Sequence, residues 1–457
     1  MAYISNTSED IDEMLATIGV NSVNELFACI PKGIRDRASF DIPSRMDQIT
    51  LHKHLRQLAD SNTSAESAPC FLGAGVYDHY VPPTVQAIVG RSEFYTSYTP
   101  YQPEVSQGTL QSIFEFQSLI CSLFDMPVAN ASMYDGATAL AEAVIMARDI
   151  KQRPTIIFAG SINPFHLDVV KTYAFHAGVS IETTPLKDGT TDLSALRAAV
   201  NSETAAIVLQ QPNFLGSIEN TSEISLIAKS VDALLIASVD PISLSLLKPP
   251  GSYGADIVVA EGQSLGCPMG LGGPLLGLFA CRSEYMRRLP GRIVGQTTDI
   301  DGKRAFVMTL RTREQDIRRE RATSNICTNE ALYALAAAVY LATMGKNGMK
   351  QIGTLCVNKA NYAANVISKL DGFDLAYPNA QFFKEFVIRC QSSPKQINEY
   401  LRTNGITGGL ALEGIVPGLE NCILICVTES RTKEEIDHFA ACLFEAGRNA
   451  NMKAMAQ

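Results

Sequence analysis

The stretch ALLIASVDPISLSLLKPPGSYGADIVVA, residues 233–260, decides the fold. It holds two short apolar runs, Ala233–Val239 and Asp256–Ala260, and the segment between them is rich in proline and glycine. Short apolar runs bounded by turn residues predict strands that are buried on both faces. Because such strands belong to parallel sheets covered by helices, the stretch indicates an α/β protein.

The alternation of strand and helix continues on both sides of this stretch. Further strands are predicted at Thr155–Ala159, Val179–Thr183, Ala205–Gln210 and Leu275–Ala280. The helices predicted around them are Ala137–Ile150, Pro164–Ala177, Leu193–Val200 and Ser222–Ser230. This order predicts a mainly parallel sheet with helices on both faces, in which ligands bind at the carboxyl ends of the strands.

The two ends of the chain predict additional parts. Apolar residues at helical spacing between Ile11 and Ile18 predict a helical N-terminal arm over residues 1–68. Residues 69–330 then form the large domain, and residues 331–457 form a linking helix and a small C-terminal α/β domain. The elements predicted there are helices Asn329–Met344, Lys395–Thr403 and Lys433–Ala446 and strands Phe382–Arg389 and Cys422–Val427.

Composition and charge exclude several classes of protein. The 457 residues are 46% hydrophobic and 19% charged, which is typical of a compact protein with a large core. The net charge is −9 and the basic residues are scattered, so no nucleic-acid partner is expected. No apolar run reaches the ~20 residues of a membrane span, and the polar start of the chain is unlike a signal peptide. We expect a cytoplasmic protein without a membrane partner.

Cysteine and histidine spacing gives no sign of a metal site. The chain has 11 cysteines and 6 histidines, with no Cys-x-x-Cys pair and no zinc-ligand spacing. We therefore expect reduced thiols and no bound metal. The only concentrated charge is at Arg311–Arg321, where arginines alternate with acidic residues. This pattern predicts the solvated or interface face of a helix rather than a phosphate clamp.

A possible anion site precedes the alanine-rich helix, at Asp135-Gly136-Ala137-Thr138-Ala139. Small residues at a helix start leave backbone N–H groups and the helix dipole free to bind a phosphate. The alternative is that Asp135 caps the helix and the small residues only pack closely, and on this stretch alone the alternative is favoured.

Asp240 ends the strand Ala233–Val239 at the edge where ligands bind. In pyridoxal-phosphate enzymes such an aspartate pairs with the pyridinium nitrogen, although Asp-Pro turns also follow strands for local reasons. A lysine that forms a Schiff base would follow roughly two dozen residues later, yet residues 249–280 contain none. The nearest lysine, Lys248, precedes a Pro-Pro-Gly turn and is expected to be exposed. The glycines of Gly270–Pro274 match no nucleotide motif and suggest close backbone approach.

The segment from Phe94 to Gly108 is dense in aromatic, hydroxyl and amide groups and predicts a loop before a helix. Such density favours recognition of a ligand or a partner over an ordinary polar loop with half-buried rings. The candidate contact residues are Tyr95, Ser97, Tyr98, Thr99, Tyr101, Gln102, Glu104, Ser106 and Gln107.

Four strings carry a resemblance to a known family. They are FLGAGVYDHY (71–80), YTPYQPEVSQG (98–108), KPPGSYGAD (248–256) and REQDIRRERATSNICT (313–328). In this order they resemble the P-protein of the glycine cleavage system, and within it the amino-terminal-type subunit of the two-subunit form. The resemblance implies an aspartate-aminotransferase-type fold, PLP fold type I, in a heteromer of two unlike homologous subunits.

The resemblance also implies that the cofactor site of this chain is vestigial. In the partner subunit a His-Lys pair follows the strand that corresponds to Asp256–Ala260, and Gln263-Ser264 stands at that pair here. A serine hydroxyl forms no imine, so Ser264 cannot replace the lysine. Asn163 stands where close relatives have histidine, which weakens any stacking on a pyridine ring. The vestigial candidates are Asp135, Thr138, Asp240 and Ser264, and the loop Tyr95–Gly108 is expected at the interface.

The function that the resemblance implies is decarboxylation of glycine and transfer of the aminomethyl group to the lipoyl group of the H-protein. Pyridoxal 5′-phosphate would be bound through the lysine-bearing partner subunit, and the T- and L-proteins would complete the system. One alternative is a self-sufficient pyridoxal-phosphate lyase or transferase that uses another lysine, such as Lys248 or Lys303. Another is a non-catalytic scaffold or regulator that has kept the fold.

Overall fold

The computed structural model describes residues 6–39, 41–270, 272–326 and 328–455. It divides into two compact units, Met1–Thr63 and Ser64–Gln457. Leu271 and Cys327, which belong to the glycine-rich run and to the fourth of the family strings, lie outside the described residues. The predicted division at residues 68 and 330 stays a prediction.

The first unit consists of three α-helices, α1 (Ser8–Ile18), α2 (Lys32–Arg35) and α3 (Gln48–Asp60), among its described residues. Helix α1 begins at a capping box between Thr7 and Asp10 and ends at Gly19, whose φ is 85°. The predicted helix is therefore confirmed together with its end. None of the three helices contains a buried residue.

The second unit contains the remaining elements. Its helices are α4 (Pro83–Val89), α5 (Ser92–Tyr95), α6 (Gln107–Phe124), α7 (Gly136–Lys151), α8 (Pro164–Ala177), α9 (Leu193–Ala199), α10 (Thr221–Ser230), α11 (Gln315–Arg318), α12 (Ala331–Ile367), α13 (Pro394–Thr403) and α14 (Lys433–Met455). Its strands are β1 (Val128–Ala129), β2 (Thr155–Ala159), β3 (Ser180–Thr183), β4 (Leu186–Lys187), β5 (Thr190–Thr191), β6 (Thr204–Gln211), β7 (Leu234–Val239), β8 (Ile257–Glu261), β9 (Gly277–Cys281), β10 (Ile293–Thr298), β11 (Arg304–Thr309), β12 (Phe373–Leu375), β13 (Glu385–Cys390), β14 (Leu410–Ala411) and β15 (Cys422–Cys426).

A seven-stranded sheet forms the centre of this unit, in the order β1-β9-β8-β7-β6-β2-β3. Strands β8, β7, β6, β2 and β3 pair in parallel, and β9 runs antiparallel to β8. All residues of β7 are buried, because helices cover both faces of the sheet. The predicted strands and the predicted mainly parallel α/β sheet are confirmed.

The C-terminal part forms a second, antiparallel sheet in the order β12-β13-β15-β14. Its core includes Phe71, whose ring stacks on that of Phe439 with centroids 3.9 Å apart. The Phe71 amide donates to the carbonyl of Thr407, and its carbonyl accepts from the amide of Cys426. These bonds fix the start of the segment that carries Tyr77 and His79 against the small sheet.

The prediction for the arginine-rich segment was wrong. Residues Arg311–Arg321 do not form one exposed helix, since Arg319 takes a φ of 57° and separates short turns. Arg313 is buried and donates to the carbonyls of Leu289 and Gly291. The predicted helix Asn329–Met344 corresponds to the first part of α12, which ends at a non-helical residue, Gly345.

In the glycine-rich run, a Cβ at Gly270 would lie 3.2 Å from the carbonyl oxygen of Gly273, so the backbone approaches itself closely there, as predicted. Gly272 and Gly273 take φ values of 98° and 142°, and a Cβ at Gly272 would meet nothing within 4 Å. The turn therefore needs glycine for its own backbone conformation.

No described helix is both long enough and apolar enough to cross a membrane. The described cysteines are all free thiols, and Cys422 and Cys426 are buried in β15. Packing in the strand accounts for these two residues.

Candidate functional site

A small cavity of about 50 Å³ lies at the carboxyl edge of β6, β7 and β8. This is the edge at which parallel α/β sheets bind ligands. A cavity of this volume holds roughly four water molecules, each of which needs about 10–15 Å³. The residues that line it are Gly75, Tyr77, Asn163, His166, Gln210, Pro212, Gly216, Ser238, Val239, Asp240, Pro241, Glu261, Phe383, Lys384 and Glu385.

The centre of the site is an ion pair between Asp240 and Lys384. Lys384 Nζ lies 2.6 Å from Asp240 Oδ2, and the two side chains are 2% and 12% exposed. The other oxygen of Asp240 accepts the backbone amide of Ile242 at 2.8 Å, which fixes the carboxylate after β7. Burial alone would lower the pKa of Lys384, but the adjacent Asp240 carboxylate outweighs it and the pKa is raised. Lys384 is therefore held as an ammonium group.

Two further groups complete the surroundings of this ammonium. Its Nζ lies 2.9 Å from His79 Nε2 and 3.4 Å from the centroid of the Tyr77 ring. An ammonium group only donates hydrogen bonds, so His79 Nε2 accepts from it. A cation this close to the face of an aromatic ring is further stabilised by the ring quadrupole.

The hydrogen-bond chain continues from His79 to Glu429. His79 Nδ1 lies 2.7 Å from Glu429 Oε2, and the Tyr80 amide donates to Glu429 Oε1 at 2.7 Å. Because Nε2 already accepts from Lys384, the ring proton resides on Nδ1 and Glu429 accepts it. Burial disfavours the charged form of Glu429, but His79 and the Tyr80 amide outweigh it and lower the pKa to about 2. The hydrogen-bond chain thus links the Glu429 carboxylate, the His79 imidazole, the Lys384 ammonium and the Asp240 carboxylate.

Glu385, which follows Lys384, holds the wall of the cavity. Its Oε2 accepts the hydroxyl of Tyr77 at 2.8 Å and its Oε1 accepts the amide of Ala74 at 2.7 Å. Burial raises the pKa of this carboxyl. Glu385 therefore ties the start of β13 to the segment that supplies Tyr77 and His79.

Asn163 has a structural part in the site. Its side-chain oxygen accepts the amide of Phe165 at 3.0 Å and so caps α8, while its Nδ2 donates to the carbonyl of Ala74 at 2.9 Å. The neighbouring His166 lines the cavity, and burial lowers the pKa of its imidazole. With both polar ends bonded to backbone groups, Asn163 presents no aromatic face to a ligand.

The start of α7 is capped from within the chain. Asp135 accepts the amide of Thr138 at 2.7 Å, and the Thr138 hydroxyl completes a capping box. The Gly136 amide donates to Glu261 Oε2 at 2.9 Å. The other oxygen of Glu261 accepts the amides of Gln263 and Leu276 at 2.9 and 3.0 Å. The capping alternative for Asp135 is the one that the structure shows.

The turn after β8 places Ser264 in the interior. Ser264 is 3% exposed but is not among the residues that line the cavity. Gln263 beside it accepts the amide of Tyr77 and donates to the carbonyls of Tyr77 and Cys267. Of the vestigial candidates only Asp240 reaches the cavity, while Asp135, Thr138 and Ser264 do not.

Neither lysine named as an alternative Schiff-base former reaches the site. Lys248 is exposed in the loop after β7, as predicted. Lys303 is 77% exposed in the hairpin of β10 and β11 and pairs with Asp301. The lysine that does line the cavity is Lys384, which the sequence did not single out.

The aromatic segment 94–108 lies apart from this cavity, since none of its residues line it. Gln107 anchors its end by bonding both the carbonyl and the amide of Phe306. Arg292 donates to the Tyr101 hydroxyl at 2.8 Å and its guanidinium lies 5.0 Å from the ring centroid. Tyr95 and Tyr98 are 69% and 83% exposed. The segment is therefore anchored and presents free aromatic surface.

One group of side chains has metal-ligating chemistry. The ligand atoms of His79, Cys356 and Glu429 lie within 4.8 Å of one another, and all three residues are buried. They come from separate segments, so sequence spacing could not reveal the group. The Lys384 ammonium in contact with His79 repels a second cation, and we interpret the group as part of the hydrogen-bond chain.

The fold and the site define a class of protein. A mainly parallel central sheet, a smaller C-terminal α/β part and an aspartate at the end of a central strand are those of the aspartate-aminotransferase-type fold, PLP fold type I. A sphingosine-1-phosphate lyase of Burkholderia pseudomallei shares this fold, with a TM-score of 0.67 at 16% identity over 93% of this chain and 96% of that chain.

The family profile described as "Glycine cleavage system P-protein" matches residues 1–443. A relative from Desulfitobacterium hafniense, called probable glycine dehydrogenase (decarboxylating) subunit 1, is 48% identical over 97% of this chain and 100% of its own. A relative of the same name from Moorella thermoacetica is 49% identical over 97% of this chain and 99% of its own. The crystal structure of a glycine decarboxylase (P-protein) in inhibitor-bound form has a TM-score of 0.89 at 41% identity, covering 98% of this chain and 100% of that one. The chain belongs to the glycine cleavage system P-protein family.

Pyridoxal 5′-phosphate is the cofactor that the fold class implies, and the residues of this pocket do not fit it. The carboxylate that would face a pyridinium nitrogen is already paired with Lys384 at 2.6 Å. The Gly136 amide at the start of α7 is already bonded to Glu261 at 2.9 Å. The cavity that Asp240, Lys384 and Glu261 line has a volume of about 50 Å³. The groups that could bind the charged ends of such a cofactor are therefore already bonded within the chain.

The residues that sequence reasoning missed are His79, Glu261, Lys384, Glu385 and Glu429. One signal was available, because Lys384-Glu385 places two charges directly before the apolar run Phe386–Ile388, at the start of β13. Charged residues at the end of a buried strand are seldom buried unless they are paired. Their partners, however, come from distant segments and could not be named from spacing.

Proposed function

We propose that this chain is one subunit of a two-subunit enzyme that decarboxylates glycine and transfers the aminomethyl group to the lipoyl group of the H-protein. The observation that carries this proposal is the near full-length identity of 48% to a relative named as subunit 1 of that enzyme. The T- and L-proteins of the glycine cleavage system would complete the cycle, and the compartment would be the cytoplasm.

Within this enzyme the two subunits would divide the work. The homologous partner subunit would bind pyridoxal 5′-phosphate through its own Schiff-base lysine, and the cofactor would accept the electrons released as the carboxylate leaves. This chain would hold no cofactor covalently, with Ser264 at the corresponding position. The pairing of Asp240 with Lys384 supports this division, because it leaves no acceptor for a pyridinium group.

The contribution of this chain would then be made at the interface. The segment Tyr95–Gly108 presents exposed rings on a backbone that Gln107 and Tyr101 anchor. Aromatic residues held in one conformation lose little entropy on binding, which favours them as contacts between subunits. The segment would form part of the wall around the partner's active site and the entry for the lipoyl arm.

The self-sufficient alternative has less support. Lys248 and Lys303 are exposed, and neither lines the cavity at the carboxyl edge of the sheet. Lys384 reaches the cavity, but its raised pKa keeps it protonated, whereas a Schiff-base lysine must react as the free amine.

Reconstitution from purified subunits tests the proposal. Exchange of labelled bicarbonate into the carboxyl group of glycine, in the presence of lipoylated H-protein, would be measured for each subunit alone and for the mixture. We expect exchange only in the mixture. A variant with Lys248→Ala and Lys303→Ala is the matched control and should support undiminished exchange.

Two results would contradict the proposal. Exchange by this chain alone would show that it is self-sufficient. Unchanged exchange by the partner without this chain would show that the chain is a scaffold or a regulator.

A further inference from the structure

A carboxylate and a helix N-terminus lie in and beside the pocket at the sheet edge, and these are groups that can bind the positive and the negative end of pyridoxal phosphate. Each of them already has a partner inside the chain. The first is the carboxylate of Asp240 at the end of β7. The second is the N-terminus of α7, which starts at Gly136. The two partners are Lys384 and Glu261, and they belong to different parts of the fold.

At the Asp240 end, a cation is supplied by Lys384. Its Nζ lies 2.6 Å from Asp240 Oδ2, the distance of a charge-assisted hydrogen bond. The face of the Tyr77 ring and His79 Nε2 enclose the same ammonium at 3.4 and 2.9 Å. An aromatic face and a carboxylate around one positive nitrogen form the surroundings that a pyridinium nitrogen needs.

At the α7 end, oxygen acceptors are supplied by Glu261. The Gly136 amide donates to Glu261 Oε2 at 2.9 Å, and the amides of Gln263 and Leu276 donate to Oε1. Of these three amides, that of Gly136 belongs to the helix start, where free N–H groups can bind a phosphate, whereas Gln263 and Leu276 lie between β8 and β9. A Cβ at Gly136 would lie 2.9 Å from the backbone nitrogen of Glu261, so the strand end lies directly against the helix.

We infer that Lys384 and Glu261 replace, from within the chain, the pyridinium and the phosphate of the cofactor, and that they exclude pyridoxal phosphate from this pocket. The loss of the Schiff-base lysine is then only one of three changes. Restoring a lysine at position 264 would not restore binding, because both charged ends of the site would still be filled. The inference concerns the chain's own pocket and stands whether or not the chain supports glycine decarboxylation.

A purely structural ion pair is the main competing explanation. Buried charges are often paired for stability alone, and such a pair would make no difference to cofactor binding once a lysine is supplied. The two explanations therefore predict different cofactor binding by a chain that carries Ser264→Lys. Under our inference this chain binds the cofactor only after Lys384 and Glu261 are also substituted.

The experiment measures capture of pyridoxal 5′-phosphate by the full-length chain. An amine and the aldehyde condense with loss of water, and borohydride then adds hydride to the carbon so that the link becomes a stable secondary amine. Peptide mass spectrometry locates the pyridoxyl group and gives its stoichiometry. The chains compared are the wild type, Ser264→Lys, and Ser264→Lys combined with Lys384→Ala and Glu261→Ala.

We expect no stoichiometric label at position 264 in the single variant and a label approaching one per chain in the triple variant. Exposed lysines such as Lys248 are labelled to a low extent in all samples. This label is the internal control, because it shows that cofactor and borohydride reacted in each sample. Stoichiometric label at position 264 in the single variant would overturn the inference. A triple variant that unfolds cooperatively on heating but takes up no cofactor there would overturn it as well.

A second measurement can overturn the inference if the triple variant does not fold. A double-mutant cycle compares the melting temperatures of Lys384→Met, Asp240→Asn and the combination of both. If Lys384 is the resident cation of Asp240, each single variant leaves one buried charge unpaired and the combined variant is less destabilised than the sum of the two. Additive effects would show that the two side chains are not a unit, and the inference would fail.

Discussion

The ammonium group of Lys384 is stabilised by three kinds of partner: the carboxylate of Asp240, the imidazole of His79 and the ring of Tyr77. Each contact is short, and the lysine side chain is only 2% exposed. Removal of one partner from such a buried pair costs about 3–5 kcal/mol, because the other charge is left without compensation. The pair is therefore a sensitive point for folding as well as for ligand exclusion.

Glu261 gives a prediction about pH at the scale of a single residue. Burial raises the pKa of its carboxyl to about 7, against 4.5 for an ordinary glutamate. The folded chain then binds more protons than the unfolded chain between these two values, so stability falls as the pH rises from about 4.5 to about 7. The loss attributable to this group is about 3 kcal/mol, at about 1.4 kcal/mol for each pH unit.

Replacement of Glu261 by glutamine tests this dependence. The free energy of unfolding in urea would be measured at several pH values from 4 to 8 for both proteins. We expect the wild type to lose about 3 kcal/mol more than the variant over this range. Glu142→Gln is a comparison, because burial also raises the pKa of Glu142 to about 7 although it lies outside the cavity. Parallel curves for the wild type and Glu261→Gln would refute the assignment.

At the scale of elements, the site depends on the turn that follows β6. Gly216 takes a φ of 86°, and a Cβ there would lie 2.0 Å from the carbonyl oxygen of Glu385. The turn therefore packs directly on the start of β13, which carries Lys384 and Glu385. The position of both charged side chains relative to the central sheet depends on this close approach.

Gly216→Ala should damage the fold through this contact. Alanine in the left-handed region costs about 1–2 kcal/mol by itself, and forced displacement of the neighbouring backbone adds roughly 1–3 kcal/mol. Gly178 is the matched control, since its φ is 66° but a Cβ there would meet nothing within 4 Å. Urea unfolding of both variants measures the difference. Equal losses would show that the contact with β13 is not under steric pressure.

The elements of the large sheet were predictable because each strand is a short buried run with turn residues on both sides. The predicted strand Thr155–Ala159 and helix Pro164–Ala177 have the observed bounds. The hairpin of β10 and β11 was not predicted. Half of it is exposed and polar, so its sequence lacks the regular spacing of apolar residues that marks a strand. The prediction at Arg311–Arg321 was wrong because charge alternation does not report backbone conformation or the burial of Arg313.

At the scale of the whole molecule, the candidate site was predictable only where a motif and a strand end coincide. Asp240 follows a strand that the sequence shows, and it lies in the cavity as expected. Lys384, His79 and Glu429 come from separate segments and meet only after the small sheet packs on the large one. Such contacts depend on tertiary packing, so their partners could not be read from spacing along the chain.

The proposed pairing with a partner subunit leads to a prediction about the surface of this chain. Tyr98 is 83% exposed, and its ring lies 6.5 Å from that of Tyr101, which Arg292 anchors. If the segment Tyr95–Gly108 contacts the partner subunit, the Tyr98 ring loses its water there and contributes about 1–2 kcal/mol or more to binding. Tyr98→Ala should then weaken assembly about tenfold or more, since 1.4 kcal/mol corresponds to a factor of ten.

Phe175→Ala is the matched control for this change, because Phe175 is 81% exposed on helix α8, outside the proposed interface segment. Isothermal titration of each variant with the purified partner subunit measures the dissociation constant, and a thermal melt of the isolated chain measures its stability. Both substitutions remove an exposed ring and should change the stability of the isolated chain by less than about 0.5 kcal/mol. Only Tyr98→Ala should weaken assembly. Equal affinities of the two variants, or a stronger effect of Phe175→Ala, would place the subunit interface on another face of the chain.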